Sequence, residues 1–335
     1  MNTNIILLLF GLFNFILIIF FSKIRFFKLN LDNPDNKRKI HSVPVPLAGG
    51  TILFFNLILY FCLIFFFKGL LLNDNIFPNI INTYIFFIIY LGIFSLGFYD
   101  DRYNLNANIK FLILTFLILV LLILDRSLII TNIKFSFVNQ TFILNYFSIP
   151  FTIFCFLVFL NAFNMFDGIN LQSTLYSLII FSSINFIYTD SLLIKILIIF
   201  LISFSYLNFK NKSFLGDSGT LSIAFIIGFI FIKLYNEGYI DTADEIVTFM
   251  IIPGIDLIRL FFLRILNKRN PLSPDNLHLH HLILSKYSLS KTLALVVALI
   301  IFPLILNYFG MQNIYALIIT IILYFCLIFA LRIKY

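Results

Sequence analysis

Charged residues are scarce in this chain of 335 residues. They make up 11% of it, whereas 61% of the residues are hydrophobic and the mean hydropathy is +1.04. Soluble domains carry about 25% charged residues. The apolar residues form runs of roughly twenty, the length that crosses a hydrocarbon core about 30 Å thick. This composition excludes a soluble or disordered protein, and it excludes the nucleic-acid-binding domain that an isoelectric point of 9.3 would otherwise favour.

Cysteine is nearly absent, with three residues that each lie inside an apolar run. Because Cys62, Cys155 and Cys326 are far apart in sequence, they give neither a disulfide framework nor the spacing of zinc ligands. Glutamate is rarer still, since only two of the fifteen acidic residues are Glu. Chemistry that needs carboxylates must therefore depend on aspartate.

The apolar runs predict an all-α polytopic integral membrane protein, with eleven transmembrane helices in a single domain over residues 1–335. Between the fourth and fifth runs, alternating apolar residues at 128–147 predict a small external hairpin. The predicted spans are 5–22, 48–67, 81–99, 109–124, 149–164, 172–188, 191–208, 219–235, 246–264, 290–308 and 313–331.

The basic residues predict the orientation of these spans, because Lys and Arg accumulate in cytoplasmic loops. Most of the 23 basic residues fall in alternate loops, which places the N-terminus outside and the C-terminus inside. Lys195 and Lys233 lie near the outer span ends, where we expect them to snorkel outward. The opposite loops otherwise hold Lys68, Arg126 and Lys134.

Aspartates are concentrated on the predicted inner side. They stand mostly at span ends, where a charge avoids the cost of about 2.5–3.5 kcal/mol that it meets at a span centre. Eight of the thirteen are on this side, namely Asp32, Asp35, Asp100, Asp101, Asp167, Asp217, Asp256 and Asp275. Their side chains can therefore share one face at the inner membrane surface.

The pair Asp100-Asp101 ends the third predicted span. Two adjacent carboxylates repel each other, and a hard divalent ion such as Mg²⁺, which prefers a few carboxylates together with phosphate oxygens, would relieve that repulsion. The alternative is a solvated loop that ends a helix. The pair by itself does not decide between these interpretations.

Two further inner corners carry polar residues with suitable spacing. Asn161, Asn164 and Asp167 recur every three residues, so on a helical turn they line one side of the helix end. Around Asp217, the flanking glycines let the backbone approach a ligand at a helix start. The alternatives are a polar helix end closed by Gly168 and an ordinary tight turn.

Three of the four histidines, His278, His280 and His281, fall within four positions of the last long inner loop. The fourth, His41, belongs to the first inner loop, which continues to Gly50. Such a trio could bind zinc, but it has no acidic or thiol ligand at helical spacing beside it. We therefore favour contact with a phosphate or a nucleotide.

Taken in order, these motifs resemble the polyprenyl-phosphate N-acetylhexosamine-1-phosphate transferases, the membrane family of MraY and WecA, also called glycosyltransferase family 4. The resemblance runs through nearly the whole chain. It implies Mg²⁺-dependent transfer of a sugar 1-phosphate, with Mn²⁺ as a substitute, from a UDP-sugar to undecaprenyl phosphate, with release of UMP. It further implies a multi-pass protein of the inner (cytoplasmic) membrane, a homodimer by analogy, no nucleic-acid partner, and a product that starts cell-envelope polysaccharide such as lipopolysaccharide O-antigen.

The resemblance also assigns the catalytic carboxylates and the metal ligands. It implies that Asp217 and Asn164 bind the metal ion, and that Asp100 and Asp101 lie at the lipid phosphate and the metal. Asp167 would support the pyrophosphate and the metal site. Joining two phosphate-bearing substrates needs charge neutralisation and in-line positioning more than covalent chemistry, which agrees with these roles.

The substrate-binding residues follow from the same resemblance. His278, His280 and His281 match the loop that contacts the sugar nucleotide. Asn208 matches an asparagine on the nucleotide side, and Lys110 would be a cation that binds phosphate. The mechanism that we favour is direct attack of the lipid phosphate on the β-phosphorus, with Asp100 as base or orienting group; the alternative is a covalent aspartyl-phosphate intermediate.

The chain departs from the family pattern at two places. Bacterial relatives commonly have Asp-Gly-Ile-Asp-Gly-Leu where residues 167–172 of this chain are Asp-Gly-Ile-Asn-Leu-Gln. One carboxylate and one glycine of the motif are therefore missing, and Asn170, Leu171 and Gln172 stand at its end. Asn104 stands where many have a third aspartate after the pair. The Pro-rich stretch Pro44-Val45-Pro46 and the histidine motif resemble the WecA branch, which uses simple UDP-N-acetylhexosamines such as UDP-GlcNAc.

Three other functions remain open from the sequence. The muramoyl-pentapeptide branch of the family would place the protein in peptidoglycan synthesis. A membrane transporter would also hold charges within spans, but the polar residues here crowd one face and no half-repeat is visible. An inactive scaffold is the third, motivated by the missing carboxylate at Asn170.

Overall fold

The structure is a computed structural model that describes residues 3–34, 43–67, 76–77, 79–270 and 275–332. Twelve α-helices account for most of the described chain, with two short β-hairpin-like pairs between them. The helices are α1 (Thr3–Ile19), α2 (Gly49–Phe66), α3 (Ile80–Tyr103), α4 (Ala107–Leu124), α5 (Ser148–Phe166), α6 (Gln172–Ile187), α7 (Leu192–Phe209), α8 (Gly216–Asn236), α9 (Ala243–Leu266), α10 (Leu279–Leu284), α11 (Leu289–Tyr308) and α12 (Asn313–Arg332).

This architecture confirms the predicted all-α polytopic membrane protein. Within the described ranges, nine helices are long and apolar enough to cross a membrane, and α1 is a shorter apolar helix. Each of the eleven predicted spans coincides with one helix, but α1 and α6, with 17 and 16 residues, are shorter than these nine. The number of crossings and their orientation stay predictions.

Asparagine side chains mark where two of the apolar helices begin. The Asn79 side chain accepts a hydrogen bond from the backbone N–H of Asn82 at the start of α3, 2.9 Å away. At the start of α4, Asn106 accepts in the same way from Asn108, also at 2.9 Å. These caps satisfy backbone donors that the first helical turn leaves without a partner.

The chain forms two compact units. The first comprises Met1–Leu128 and Ser177–Lys233, and within it α1 packs on α7 and α2, α2 on α7, and α3 on α4. Its core is aromatic, with Phe86 in contact with Phe225 and Phe229. Two short strands also pair in this unit, β1 (Leu31–Asp32) with β2 (Val45–Pro46).

The second unit comprises Ile129–Tyr176 and Leu234–Tyr335. Here α9 packs on α5, α11 and α12, and the short helix α10 packs on α11 and α12. The antiparallel strands β3 (Asn132–Phe135) and β4 (Val138–Ile143) confirm the hairpin predicted at 128–147. Ser136, at the hairpin turn, donates hydrogen bonds from its backbone and its hydroxyl to buried Asp244 in the first turn of α9.

The snorkelling predicted for Lys233 is wrong. Its side chain is buried in the first unit, and its Nζ atom donates to the Ser127 hydroxyl at 3.0 Å. Ser127 in turn donates to the buried carboxylate of Asp125 at 2.6 Å. Because Ser127 offers a polar partner within the unit, the ammonium group of Lys233 is buried there instead of reaching water. Hydropathy cannot indicate such a partner.

Candidate functional site

Four charged side chains from three helix ends meet in the first unit. Asp100 and Asp101 lie in the last turn of α3, Lys110 in the first turn of α4, and Asp217 in the first turn of α8. We call these four residues the carboxylate cluster. Adjacent residues on a helix point about 100° apart. Asp100 and Asp101 consequently have different partners.

Lys110 joins two of the carboxylates. Its Nζ atom lies 2.7 Å from Oδ2 of Asp100 and 2.7 Å from Oδ2 of Asp217. Asp100 also accepts from the backbone N–H of Leu105 at 2.6 Å. The side chain of Asp217 is 34% exposed, against 8% for Asp100 and 15% for Lys110. Asp217 is therefore the member of this trio that is most open to a ligand.

Asp101 holds the beginning of α8. One carboxylate oxygen accepts from the backbone N–H of Asp217 at 2.6 Å. The other accepts from the backbone N–H of Ser218 at 3.1 Å and from its hydroxyl at 2.7 Å. These contacts satisfy N–H groups of the first helical turn, and a carboxylate there also interacts favourably with the helix dipole. They fix the position of Asp217 directly.

Glycines allow α2 and α3 to approach the start of α8. A Cβ atom on Gly97 would lie 2.6 Å from Cα of Ser218, and one on Gly50 would lie 2.4 Å from the backbone nitrogen of Gly219. At the start of α8, Gly216 has φ +73°, a conformation that side chains disfavour. The glycines flanking Asp217 thus serve close packing and a turn with positive φ, and the approach of a ligand to this backbone stays a prediction.

Asn208 is buried in the last turn of α7, in the same unit. Its side-chain amide donates to the carbonyl of Ser213 at 2.9 Å, so it holds the turn that leads to α8. Its predicted contact with the nucleotide stays a prediction.

In the second unit, residues 275–281 form a segment that carries the three histidines, which we call the His segment. Asp256 of α9 anchors it, because its carboxylate accepts from Nδ1 of His278 at 2.7 Å and from the backbone N–H of Leu279 at 3.1 Å. Arg259 donates to Asp256 at 2.8 Å and to the Leu277 carbonyl at 2.6 Å. The side chains of Asp256 and Arg259 are 4% and 5% exposed. The His segment is thus fixed by a buried ion pair.

A second ion pair holds the start of the His segment. Nε of Arg264, also on α9, lies 2.8 Å from Asp275, which accepts in addition from the backbone N–H of Leu277. Burial acts to raise the pKa of Asp275, but the hydrogen bonds from Arg264 and Leu277 outweigh it and lower the pKa below its ordinary value. Asp275 is therefore ionised at neutral pH.

His280 is completely buried against the chain that follows α5. Gln172 donates from its side-chain amide to Nδ1 of His280 at 3.1 Å, which places the remaining ring proton on Nε2. A Cβ atom on Gly168 would lie only 1.9 Å from that Nε2. Burial, and then the neighbouring imidazoles, lower the pKa of His280 well below its ordinary value. His280 is a neutral packing residue in this structure.

The remaining predicted residues of the second unit are half-buried. Asn164 lies in the last turn of α5, and Asp167 is the residue that caps this helix. His281 lies in the first turn of α10, with its ring centre 4.3 Å from that of His280. His41 and Ser42, the start of the first-loop motif, lie outside the described residues.

Sequence reasoning missed the partners that position these residues. The sequence pattern places Asp256 on the inner side but gives it no role, and a search at helical spacing around the histidine trio does not reach it. A signal was present, because Asp256 and Arg259 are three apart in an apolar span, where charges need a partner. Gln172 was noticed only as a departure from the family pattern.

The carboxylate cluster offers hard oxygen ligands that suit Mg²⁺. Across the described ranges, no group of three or more His, Cys, Asp or Glu side chains is placed to hold a metal ion. Mg²⁺ is commonly held by one or two carboxylates, with substrate phosphates and water completing its shell. Asp217, with its partly exposed carboxylate beside that of Asp100, fits this pattern.

Comparisons with known proteins agree with the resemblance. The sequence model of glycosyl transferase family 4 matches residues 83–235, which include the carboxylate cluster. A probable undecaprenyl-phosphate N-acetylglucosaminyl 1-phosphate transferase of Bacillus subtilis (strain 168) is 28% identical over 286 residues, 81% of this chain and 74% of the relative.

Two enterobacterial relatives are both named undecaprenyl-phosphate alpha-N-acetylglucosaminyl 1-phosphate transferase. The protein of Salmonella typhi is 24% identical over 77% of this chain and 70% of its own length. That of Escherichia coli (strain K12) is 23% identical over 80% of this chain and 73% of its own length. The family match and these relatives show what this chain is similar to, and with the ordered motifs they support its resemblance to glycosyl transferase family 4.

Proposed function

We propose that this protein transfers N-acetylglucosamine 1-phosphate from UDP-N-acetylglucosamine to undecaprenyl phosphate and releases UMP. The names of the relatives support the acceptor and the transferred group. The observation that carries the proposal is the carboxylate cluster, in which Lys110 bridges Asp100 and Asp217 at 2.7 Å each. A cation between two carboxylates at helix ends suits a reaction between phosphate groups.

In the direct route, an oxygen of the lipid phosphate forms a bond to the β-phosphorus of the donor. The bond from that phosphorus to the bridging oxygen breaks, and UMP leaves with the electron pair. Asp100 orients the attacking phosphate through Lys110, whose ammonium group offsets part of the negative charge. Asp101 contributes by holding the start of α8, and thereby Asp217, in place.

We further propose that the reaction depends on Mg²⁺, held by Asp217 together with oxygens of the substrates. The ion would supply charge neutralisation at the pyrophosphate. The Asp217 carboxylate is suited to this role because it is the most exposed of the Lys110-linked trio and because Asp101 fixes its backbone. Removal of divalent ions with EDTA is therefore expected to stop turnover.

The covalent route makes a different prediction about UMP. If an aspartate attacked the β-phosphorus first, UMP would be released once per protein molecule without acceptor lipid, and an acyl phosphate that carries the sugar would remain on the aspartate. The direct route requires acceptor before any UMP appears. A labelled phosphoenzyme trapped without undecaprenyl phosphate would contradict the direct route.

The protein is a multi-pass membrane protein. We place it in the inner (cytoplasmic) membrane, where a water-soluble UDP-sugar reaches the inner loops and the lipid acceptor remains in the bilayer. The product, a lipid-linked sugar pyrophosphate, would start a cell-envelope polysaccharide. A homodimer is part of this proposal by analogy with the family only.

The test is UMP release by the purified full-length protein with undecaprenyl phosphate, Mg²⁺ and one UDP-sugar at a time. Asp217→Asn is expected to abolish release. The matched control is Asp190→Asn, an exposed aspartate of the same unit whose partner is Lys195, and it should leave release unchanged.

The choice of donor distinguishes the alternatives. Release with UDP-N-acetylglucosamine supports the proposal, whereas release only with the muramoyl-pentapeptide donor would assign the protein to peptidoglycan synthesis. No release with any donor would favour an inactive scaffold. Solute flux into proteoliposomes without UMP release would favour a transporter.

A further inference from the structure

Asp256 is a buried carboxylate in the second unit, in a helix long enough to span the membrane. Burying a charge costs free energy unless partners compensate for it, and ionisable groups within spans commonly serve function. Asp256 has such partners, and one of them is an imidazole of the His segment. None of the roles assigned above to the carboxylate cluster involves it.

The two carboxylate oxygens of Asp256 accept different numbers of hydrogen bonds. Oδ1 accepts three hydrogen bonds, from Arg259 at 2.8 Å, from the Tyr324 hydroxyl at 2.6 Å and from the Leu279 backbone at 3.1 Å. Oδ2 accepts from Nδ1 of His278 at 2.7 Å. Three donors fix Oδ1 in place, so Oδ2 is held toward His278.

The surrounding groups are themselves fixed. Nε of Arg259 donates to the Tyr324 hydroxyl at 2.7 Å, and the same guanidinium binds the Leu277 carbonyl. The ring of His278 is stacked on that of His280, with centres 5.5 Å apart and planes inclined by 8°. His278 is thus constrained both at Nδ1 and on a ring face.

We propose that Asp256 is a positioning residue, which keeps Nδ1 of His278 protonated and leaves Nε2 as the ring nitrogen that contacts the phosphates of the UDP-sugar donor. An ionised carboxylate only accepts hydrogen bonds, so the proton must be on Nδ1. That the ligand of Nε2 is the UDP-sugar rests on the proposed function. The assignment of the ring proton rests on the structure alone.

Asp256→Asn is a sharp test because the amide can be placed in one orientation only. The three donors at Oδ1 require an oxygen there, so the amide NH₂ group takes the position of Oδ2. It then faces Nδ1 of His278 as a donor, and the ring proton must move to Nε2. The substitution therefore switches the tautomer and changes the size of the side chain very little.

Nitrogen-15 NMR of the imidazoles in the detergent-solubilised full chain shows directly which ring nitrogen of His278 carries the proton. With only four histidines in the sequence, His→Gln variants assign each signal. We expect His278 to be protonated at Nδ1 in the unaltered protein and only at Nε2 in Asp256→Asn. We also expect Asp256→Asn to lower the maximal rate of UMP release by at least about tenfold, because replacing the carboxylate that sets the tautomer of a functional histidine leaves the ring in the wrong tautomer.

Asp244→Asn is the matched control. Asp244 is also buried, lies on the same helix α9, and accepts hydrogen bonds from Ser136 but from no histidine that the structure describes. The same chemical change there should leave all histidine tautomers and the UMP release rate unchanged. A thermal unfolding midpoint for each variant separates loss of fold from loss of positioning.

Two results would overturn the proposal. The first is a His278 that lacks a proton on Nδ1 in the unaltered protein, or keeps it in Asp256→Asn. The second is an undiminished rate of UMP release in a folded Asp256→Asn with the switched tautomer, or in His278→Gln. Should Asp256→Asn fail to fold, the spectrum of the unaltered protein and the rate of His278→Gln still decide. If no UDP-sugar supports UMP release, the proposed function fails, while the NMR result stands by itself.

Discussion

At Gly168 the surrounding atoms leave no room for a side chain. The position a Cβ would occupy is 1.9 Å from Nε2 and 2.6 Å from Cε1 of His280, which Gln172 holds from the other side. Gly168→Ala must therefore displace a buried ring. We expect a loss of about 1–3 kcal/mol of unfolding free energy, the usual cost of overpacking, measured as a lower thermal midpoint in detergent.

A second glycine of the same unit provides the control. Gly254 lies inside α9, and nothing lies within 4 Å of the Cβ that alanine would add. Gly254→Ala should be neutral or stabilise by up to ~1 kcal/mol, since alanine favours the helix. Equal effects at the two positions would contradict the close contact between His280 and Gly168.

Single residues also show where sequence reasoning stops. The positions of Asp100, Asp217 and the histidines were found because polar groups at span ends stand out from apolar runs. Their partners do not stand out in this way, because the contacts of Lys110 with Asp217 and of Asp256 with His278 join residues that are distant in sequence. Only tertiary packing decides such pairs.

At the scale of elements, the start of α8 is the feature on which the carboxylate cluster depends. Asp101→Asn replaces one acceptor oxygen by an NH₂ group, which in either orientation of the amide faces the backbone N–H of Asp217 or that of Ser218. We expect a loss of about 1–3 kcal/mol of unfolding free energy from the unsatisfied donors. Displacement of Asp217 should also lower UMP release, so thermal midpoints and turnover are measured together.

Asp125→Asn is a control of the same kind in the same unit. Asp125 is buried after α4, where it accepts from the backbone N–H and the hydroxyl of Ser127. Both bonds are accepted by Oδ1, so the carbonyl oxygen of asparagine keeps them, and this substitution should leave the thermal midpoint and the turnover per folded molecule nearly unchanged. If Asp101→Asn behaved in the same way, Asp101 would have no part in placing Asp217.

The sequence predicted the long helices well, because runs of about twenty apolar residues have few alternatives in a membrane. It predicted their ends less well. The start of α8 was expected near residue 219 and lies at Gly216, and α3 continues to Tyr103 beyond the expected 99. Both ends are polar turns that hydropathy leaves out, and both carry cluster residues. The six-residue helix α10 is too short to give a periodic signal.

For the molecule as a whole, the orientation in the membrane decides which substrates reach the site. The ends of α7, within the first unit, report it. Beyond its C-terminal end lie Lys210 and Lys212, whereas near its beginning Lys195 is paired with Asp190 at a distance of 2.5 Å. The excess of basic residues after α7 predicts that this end is cytoplasmic.

Cysteine labelling tests this prediction in a background where the three native cysteines are replaced. Asp190 and Lys212 are both exposed, so Asp190→Cys and Lys212→Cys offer accessible thiols at opposite ends of α7. In right-side-out vesicles, a membrane-impermeant maleimide should label Asp190→Cys alone, and in inside-out vesicles Lys212→Cys alone; detergent should expose both. The reverse pattern would turn the N-terminus inward and place the carboxylate cluster away from cytoplasmic UDP-sugars. Labelling of both thiols in one kind of vesicle would show that α7 does not cross the membrane.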